Sequence, residues 1–179
     1  MPSELELSHP LDVDTVGDDG FAVTVKADDA ARARIADRLG LADLRALTAD
    51  FRVSPLDGGE VAVEGDLKAD GDQICVVTLD PVGFSIHAAL SGICVPADSA
   101  ENQRDEFSLE DDETDVLGEI SDNTIDLGEI AVQQLALELD PFPRVEGAEP
   151  PAETQTSDDA ESGEDGPFAA LAELKKTLT

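Results

Sequence analysis

Few side chains in this chain are of the kinds that do chemistry, and their spacing says little for catalysis. The histidines are His9 and His87, and the cysteines are Cys75 and Cys94. No nucleophile stands in a Gly-x-Ser-x-Gly setting, and no phosphate loop or dinucleotide fingerprint is present. His87 falls in an alternating run with Ser85 and Ala89 as its period-two neighbours, the pattern of a half-exposed strand residue rather than a base. Neither cysteine belongs to a Cys-x-x-Cys pair. A structural zinc site wants four ligands, whereas Cys75, Cys94 and His87 would supply three at best, so both thiols are expected to pack as small apolar side chains. Asp12-Val13-Asp14-Thr15-Val16-Gly17 opens like a calcium loop, but Val16 replaces the third oxygen ligand and Val23 occupies the place of the bidentate glutamate. Paired carboxylates carry no information in a chain with 42 Asp and Glu among 179 residues. The expectation is a protein without catalytic residues, metal or cofactor.

Charge is the strongest compositional signal. Eleven Lys and Arg against 42 acids leave a formal charge of -31. Such a surface repels a phosphate backbone and an anionic membrane at long range. Aromatic residues make up 3% with no Trp or Tyr, which leaves little for base-stacking platforms. Seven of the eleven bases (Lys26, Arg32, Arg34, Arg38, Arg45, Arg52 and Lys68) are concentrated between residues 26 and 68. Nine acids share that stretch, so ion pairing is expected there ahead of phosphate contact. Arg34 and Arg38 remain the candidates for direct RNA contact. With 41% hydrophobic residues a packed core is expected. Residues 1 to 30 show no basic start followed by an apolar run, and no stretch reaches the roughly 20 apolar residues of a membrane helix. Together with only two cysteines, that points to a cytoplasmic protein.

The elements that must position these residues can be read from periodicity. Leu5 and Leu7 alternate with acids and suggest an opening strand over 1–10. Phe21 to Lys26 reads as a strand after the turn Gly17-Asp18-Asp19-Gly20. Asp28 or Asp29 can cap a helix that runs to Leu39, with Gly40 in the left-handed stop position. From Leu44 to Val95 the pattern is four short runs: 44–53, 60–68, 73–79 and 84–95. Gly65 suggests a bulge and Asp70-Gly71 a hairpin turn. These predict an α+β fold built on an antiparallel meander able to curl towards a barrel. Residues 98 to 122 form an acidic stretch whose only base is Arg104, expected as a self-repelling loop. Asp126 can cap a second helix with a stripe of Leu127, Ile130, Ala131, Leu135 and Leu139, ending before Asp140-Pro141-Phe142-Pro143. The expected domain is therefore 1–144. Residues 145–166 read as an acidic linker, and 167–179 as a tethered amphipathic helix presenting Phe168, Leu171 and Leu174.

Three blocks in order carry a family resemblance. They are Cys75-Val76-Val77-Thr78-Leu79-Asp80-Pro81-Val82, then Ile125-Asp126-Leu127-Gly128-Glu129-Ile130 running to Leu139-Asp140-Pro141-Phe142-Pro143-Arg144, then Pro167-Phe168-Ala169-Ala170-Leu171-Ala172-Glu173-Leu174-Lys175. This resembles the bacterial YceD family, the large ribosomal RNA subunit accumulation proteins. The resemblance implies a role in the synthesis, processing or stability of large-subunit ribosomal RNA and supplies no catalytic residues. Many members show Cys-x-x-Cys in the first block, where this chain has Thr78, so no zinc or redox role is carried over. Given the charge, the expected route is a basic partner, a ribosomal protein or an assembly factor, met by the acidic stretch around Asp111, Asp112 and Glu113 and by the Phe168, Leu171 and Leu174 face. Direct RNA binding through Arg32 to Arg52, and a generic acidic interaction module with acids serving solvation or salt adaptation, are the alternatives.

Overall fold

In the computed structural model, residues 5–97 and 115–148 are described. Asp111, Asp112, Glu113, Phe168, Leu171 and Leu174 lie outside them, as do most of the acidic stretch, almost all of the expected linker and the whole of the expected terminal helix. The described residues form an α+β fold with two sheets and two helices. Strand β1 is Pro10–Asp12, β2 Phe21–Lys26, β3 Asp43–Pro55, β4 Val61–Ile74, β5 Pro81–Pro96, β6 Val116–Ile120 and β7 Thr124–Asp126. Helix α1 is Asp29–Leu39 and α2 is Leu127–Glu138. The main sheet has the order β2-β3-β4-β5-β6, and β1 pairs with β7 in a small second sheet. The edge strands β2 and β6 do not pair with each other, so the meander stays an open sheet rather than a barrel.

The meander differs from its sequence expectation in one instructive way. Asp70-Gly71 is not a turn. One strand, β4, takes in almost all of the run 60–68 and continues through Asp70-Gly71 to Ile74, so only Gln73 and Ile74 of the run 73–79 are strand; in it Gly71 pairs with Leu44 on one side and Phe84 on the other. A Cβ at Gly71 would stand 2.5 Å from the Asp43 carbonyl oxygen and 2.6 Å from the Phe84 ring. The glycine answers a close approach, not a reversal of the chain. Gly65 likewise holds no bulge: it pairs regularly with Phe51 and Leu90. The register shift of β3 lies instead between Leu44 and Ala46. The extra residue, Arg45, changes the phase of alternation, which is why Leu44 and Leu47 both face the core although three positions apart. The Arg45 guanidinium donates to the Gly71 carbonyl at 2.9 Å and pairs with Asp72, satisfying groups beside the bulge.

Two other differences follow from topology. Residues 5–9 are not a strand; pairing begins at Pro10. Val116–Ile120, at the end of the expected acidic loop, forms β6 and runs parallel to β5, making the sheet mixed. A parallel neighbour needs a long connection to bring the chain back to the same end of the sheet. Residues between β5 and β6 supply that length.

One face of the sheet carries the core. Val25, Leu47, Phe51, Val53, Val61, Val63, Leu67 and Leu90 alternate inward, and Ile35 of α1 with Leu127, Ile130, Val132 and Leu135 of α2 cover them. Each such side chain contributes about 1.5–3 kcal/mol on leaving water. Leu139, the last of the expected stripe on α2, is only partly buried against this core. Asp28 caps α1 by accepting from the Ala31 N–H at 2.7 Å, and Gly40 ends it at φ 65°. Asp126 caps α2 through the Gly128 and Glu129 N–H groups, and also accepts from the His9 N–H and the Ser8 hydroxyl. Among the described residues, no helix is long and apolar enough to cross a membrane.

Candidate functional site

The β4–β5 hairpin closes through residues 75–80, and its geometry is unusual. Ile74 pairs with Pro81, the Cys75 N–H donates to the Asp80 carbonyl at 2.8 Å, and the Leu79 N–H donates to the Cys75 carbonyl at 3.0 Å. Pro81 favours an extended residue before it, so the reversal falls on Leu79, which adopts φ 63°. A leucine in the left-handed region is strained by its Cβ. It is nevertheless 76% exposed, so burial returns nothing for that strain.

Within the turn the Cys75 sulfur is fully buried and accepts three backbone N–H groups: Val77 at 3.4 Å, Thr78 at 3.4 Å and Val145 at 3.5 Å. The Thr78 hydroxyl leads these donors in favouring the thiolate and, with the three N–H groups, brings the thiol down to about 6 against the opposing effect of burial. Cys94 shows burial acting alone: in the core and without such donors, it is pushed up to about 11. Both thiols are free.

The segment after α2 completes this end of the molecule. The Val76 N–H donates to the Pro143 carbonyl at 2.9 Å, and Val145 reaches the Cys75 sulfur. The Gln73 amide donates to the Asp140 carbonyl at 2.8 Å, while the Phe142 N–H folds back onto the Asp140 carboxylate at 2.8 Å. Pro143 is buried and Phe142 is thrown outward, 68% exposed. Ile74 and Val76 are also among the exposed large apolar side chains. A groove of about 370 Å³ runs alongside, lined by Leu39, Leu41, Ile74, Ala136, Pro141 and Pro143 among others. The turn is thus clamped by hydrogen bonds and carries a rim of exposed apolar side chains.

The arginines singled out from sequence lie elsewhere. Arg38 is bidentate to Glu129 across the α1–α2 boundary, both bonds at 2.8 Å, and reaches Glu6 at 2.8 Å. The Arg38 guanidinium holds the Glu129 carboxyl below its ordinary range against the effect of burial, and helps the backbone hydrogen bond at Glu6 do the same there. Arg34 donates to the Glu6 carbonyl at 2.8 Å. Arg32 pairs with Asp29 and Arg45 with Asp72, so ion pairing takes three of the seven clustered bases. His87 is exposed, 3.6 Å from Asp66. Asp12 spends its carboxylate on the Asp14 N–H and the Asn123 amide. Among the described residues, no group of three or more His, Cys, Asp or Glu side chains could hold a metal ion.

Periodicity placed Val76 and Leu79 inside a strand and so missed the apolar rim. The available signals were Asp80-Pro81 directly after Leu79, and a phenylalanine enclosed by prolines at 141 and 143. Residues 63–175, more than half of the chain, match the family described as Large ribosomal RNA subunit accumulation protein YceD. No curated protein and no solved structure matches.

Proposed function

The chain belongs to the YceD family, whose name carries a role in large-subunit ribosomal RNA accumulation, and on that premise we propose that it acts as a non-enzymatic cytoplasmic factor working through a basic protein partner. The family match supports the ribosomal RNA role. Charge supports the partner route. A surface at -31 accelerates encounter with basic ribosomal proteins or assembly factors and opposes broad contact with phosphate. Arg34 and Arg38 would have to abandon Glu6 and Glu129 before touching RNA, which favours the protein route over direct binding. Asp111, Asp112 and Glu113 supply attraction, and Phe168, Leu171 and Leu174 a second anchor.

Depletion of the protein, followed by quantifying large-subunit against small-subunit ribosomal RNA, tests the role: a selective fall in the large-subunit species is expected. An unchanged ratio overturns it. Pull-down at rising salt tests the route. Partners held at low salt and lost as salt rises are expected, and an empty low-salt eluate would sink the partner reading.

A further inference from the structure

Resting on the reading of a basic protein partner, we propose that the rim formed by Ile74, Val76, Leu79 and Phe142 docks a Lys/Arg-rich polypeptide segment, with an apolar side chain of that segment seated in the groove beside Ile74. The rim is preorganised. Its two segments are joined by the Val76–Pro143 hydrogen bond and by Val145 on the Cys75 sulfur. Little further ordering is then needed when a partner arrives.

Leu79 points the same way. An asparagine or glycine would hold φ 63° with less strain, whereas leucine bears the strain and leaves its side chain in solvent. A free-standing turn gains nothing from that choice; a turn that must present an apolar knob does.

Charge selects the occupant. The charged residues on these two segments and the adjoining end of α2 are Asp80, Glu138 and Asp140 against Arg144 alone, on a chain at -31. A second copy would bring another -31, and RNA or an anionic membrane would bring phosphates, so all three are repelled. A basic segment is attracted, and its apolar residue gives the contact specificity that charge lacks.

The test uses the full chain and two labelled synthetic peptides, one of alternating lysine and leucine and one with serine in place of leucine. The leucine peptide is expected to bind more tightly. The variants Leu79→Asn and Leu79→Asn/Phe142→Ser are expected to weaken it, the double variant by about tenfold or 1.4 kcal/mol, while leaving the serine peptide unchanged. Asparagine tolerates the left-handed backbone, so the melting temperature of Leu79→Asn is expected to hold or rise, separating lost docking from lost folding. Equal binding of both peptides to wild type and variants would show that surface charge alone attracts them, and would overturn the proposal. Equal capture of a glutamate–leucine peptide would overturn it too. The peptide result stands apart from the ribosomal RNA measurement: an unchanged RNA ratio removes the cellular role and leaves the docking surface, and the reverse outcome leaves the role and removes the surface.

Discussion

Cys75 shows how much a single side chain can depend on partners distant in sequence. Two of its three N–H donors come from its own turn and one from Val145, so the sulfur ties the hairpin to the segment after α2. Replacement by alanine leaves all three donors without this acceptor in a partly buried site. Cys75→Ala is expected to lower the urea midpoint, with the loss growing as pH rises. The folded thiol titrates at about 6 and the unfolded one near 9.0, so between those values the unfolded state binds more protons. Wild-type stability therefore rises across pH 6 to 9 through this group, and that rise disappears in the variant. Unfolding curves at pH 6 and pH 8.5 for both proteins read the difference directly; parallel behaviour would mean that the sulfur stays protonated.

The shared core holds the elements together, and ion pairs at their seams add a smaller contribution. Arg38, near the end of α1, spans to Glu129 in the first turn of α2 and to Glu6. Acid at a helix start and base at a helix end each suit the local dipole, so one contact stabilises both termini. The groups are partly solvated, which limits the effect: Arg38→Met is expected to cost about 0.5–1 kcal/mol at neutral pH. Both carboxyls lie below their ordinary value of 4.5 in the folded state. Their contribution is therefore complete above that value and is lost as pH falls through the folded values. The gap between wild type and Arg38→Met, measured by urea unfolding at pH 7 and pH 3.5, is expected to narrow at the lower pH. A constant gap would assign the loss to packing of the arginine stem.

For the whole molecule, the dominant electrostatic fact is repulsion. A formal charge of -31 on 179 residues opposes compaction, and among the described residues a few ion pairs offset it locally. Salt weakens both, but the pairs are worth at most about 1 kcal/mol each, whereas relief of repulsion acts over every acid. Screening shortens from about 30 Å at 10 mM to about 3 Å at 1 M. Stability is therefore expected to increase between 10 mM and 1 M NaCl, seen as a higher urea midpoint. A fall would mean that specific pairs such as Arg38–Glu129 outweigh the net charge.

Local chemistry was enough to read what depends on neighbours along the chain. Asp28 or Asp29 with Gly40 bounded α1, whose cap is Asp28; Asp126 with the proline cluster bounded α2, Phe21–Lys26 was placed residue for residue, and the buried Leu127, Ile130, Ala131 and Leu135 followed from helical spacing. The α+β class and the motif blocks were legible in the same way. What pairs across distance was not. An Asp-Gly pair looks alike in a tight turn and in a strand crowded by Phe84, and only the facing strands at Asp43 and Phe84 decide between them. A parallel β6 cannot be told from an antiparallel one by its own alternation, because the direction of pairing belongs to the partner strand. The apolar rim depended on both effects: Leu79 and Phe142 are ordinary core residues by type, and folding brings their segments together while leaving their side chains in water.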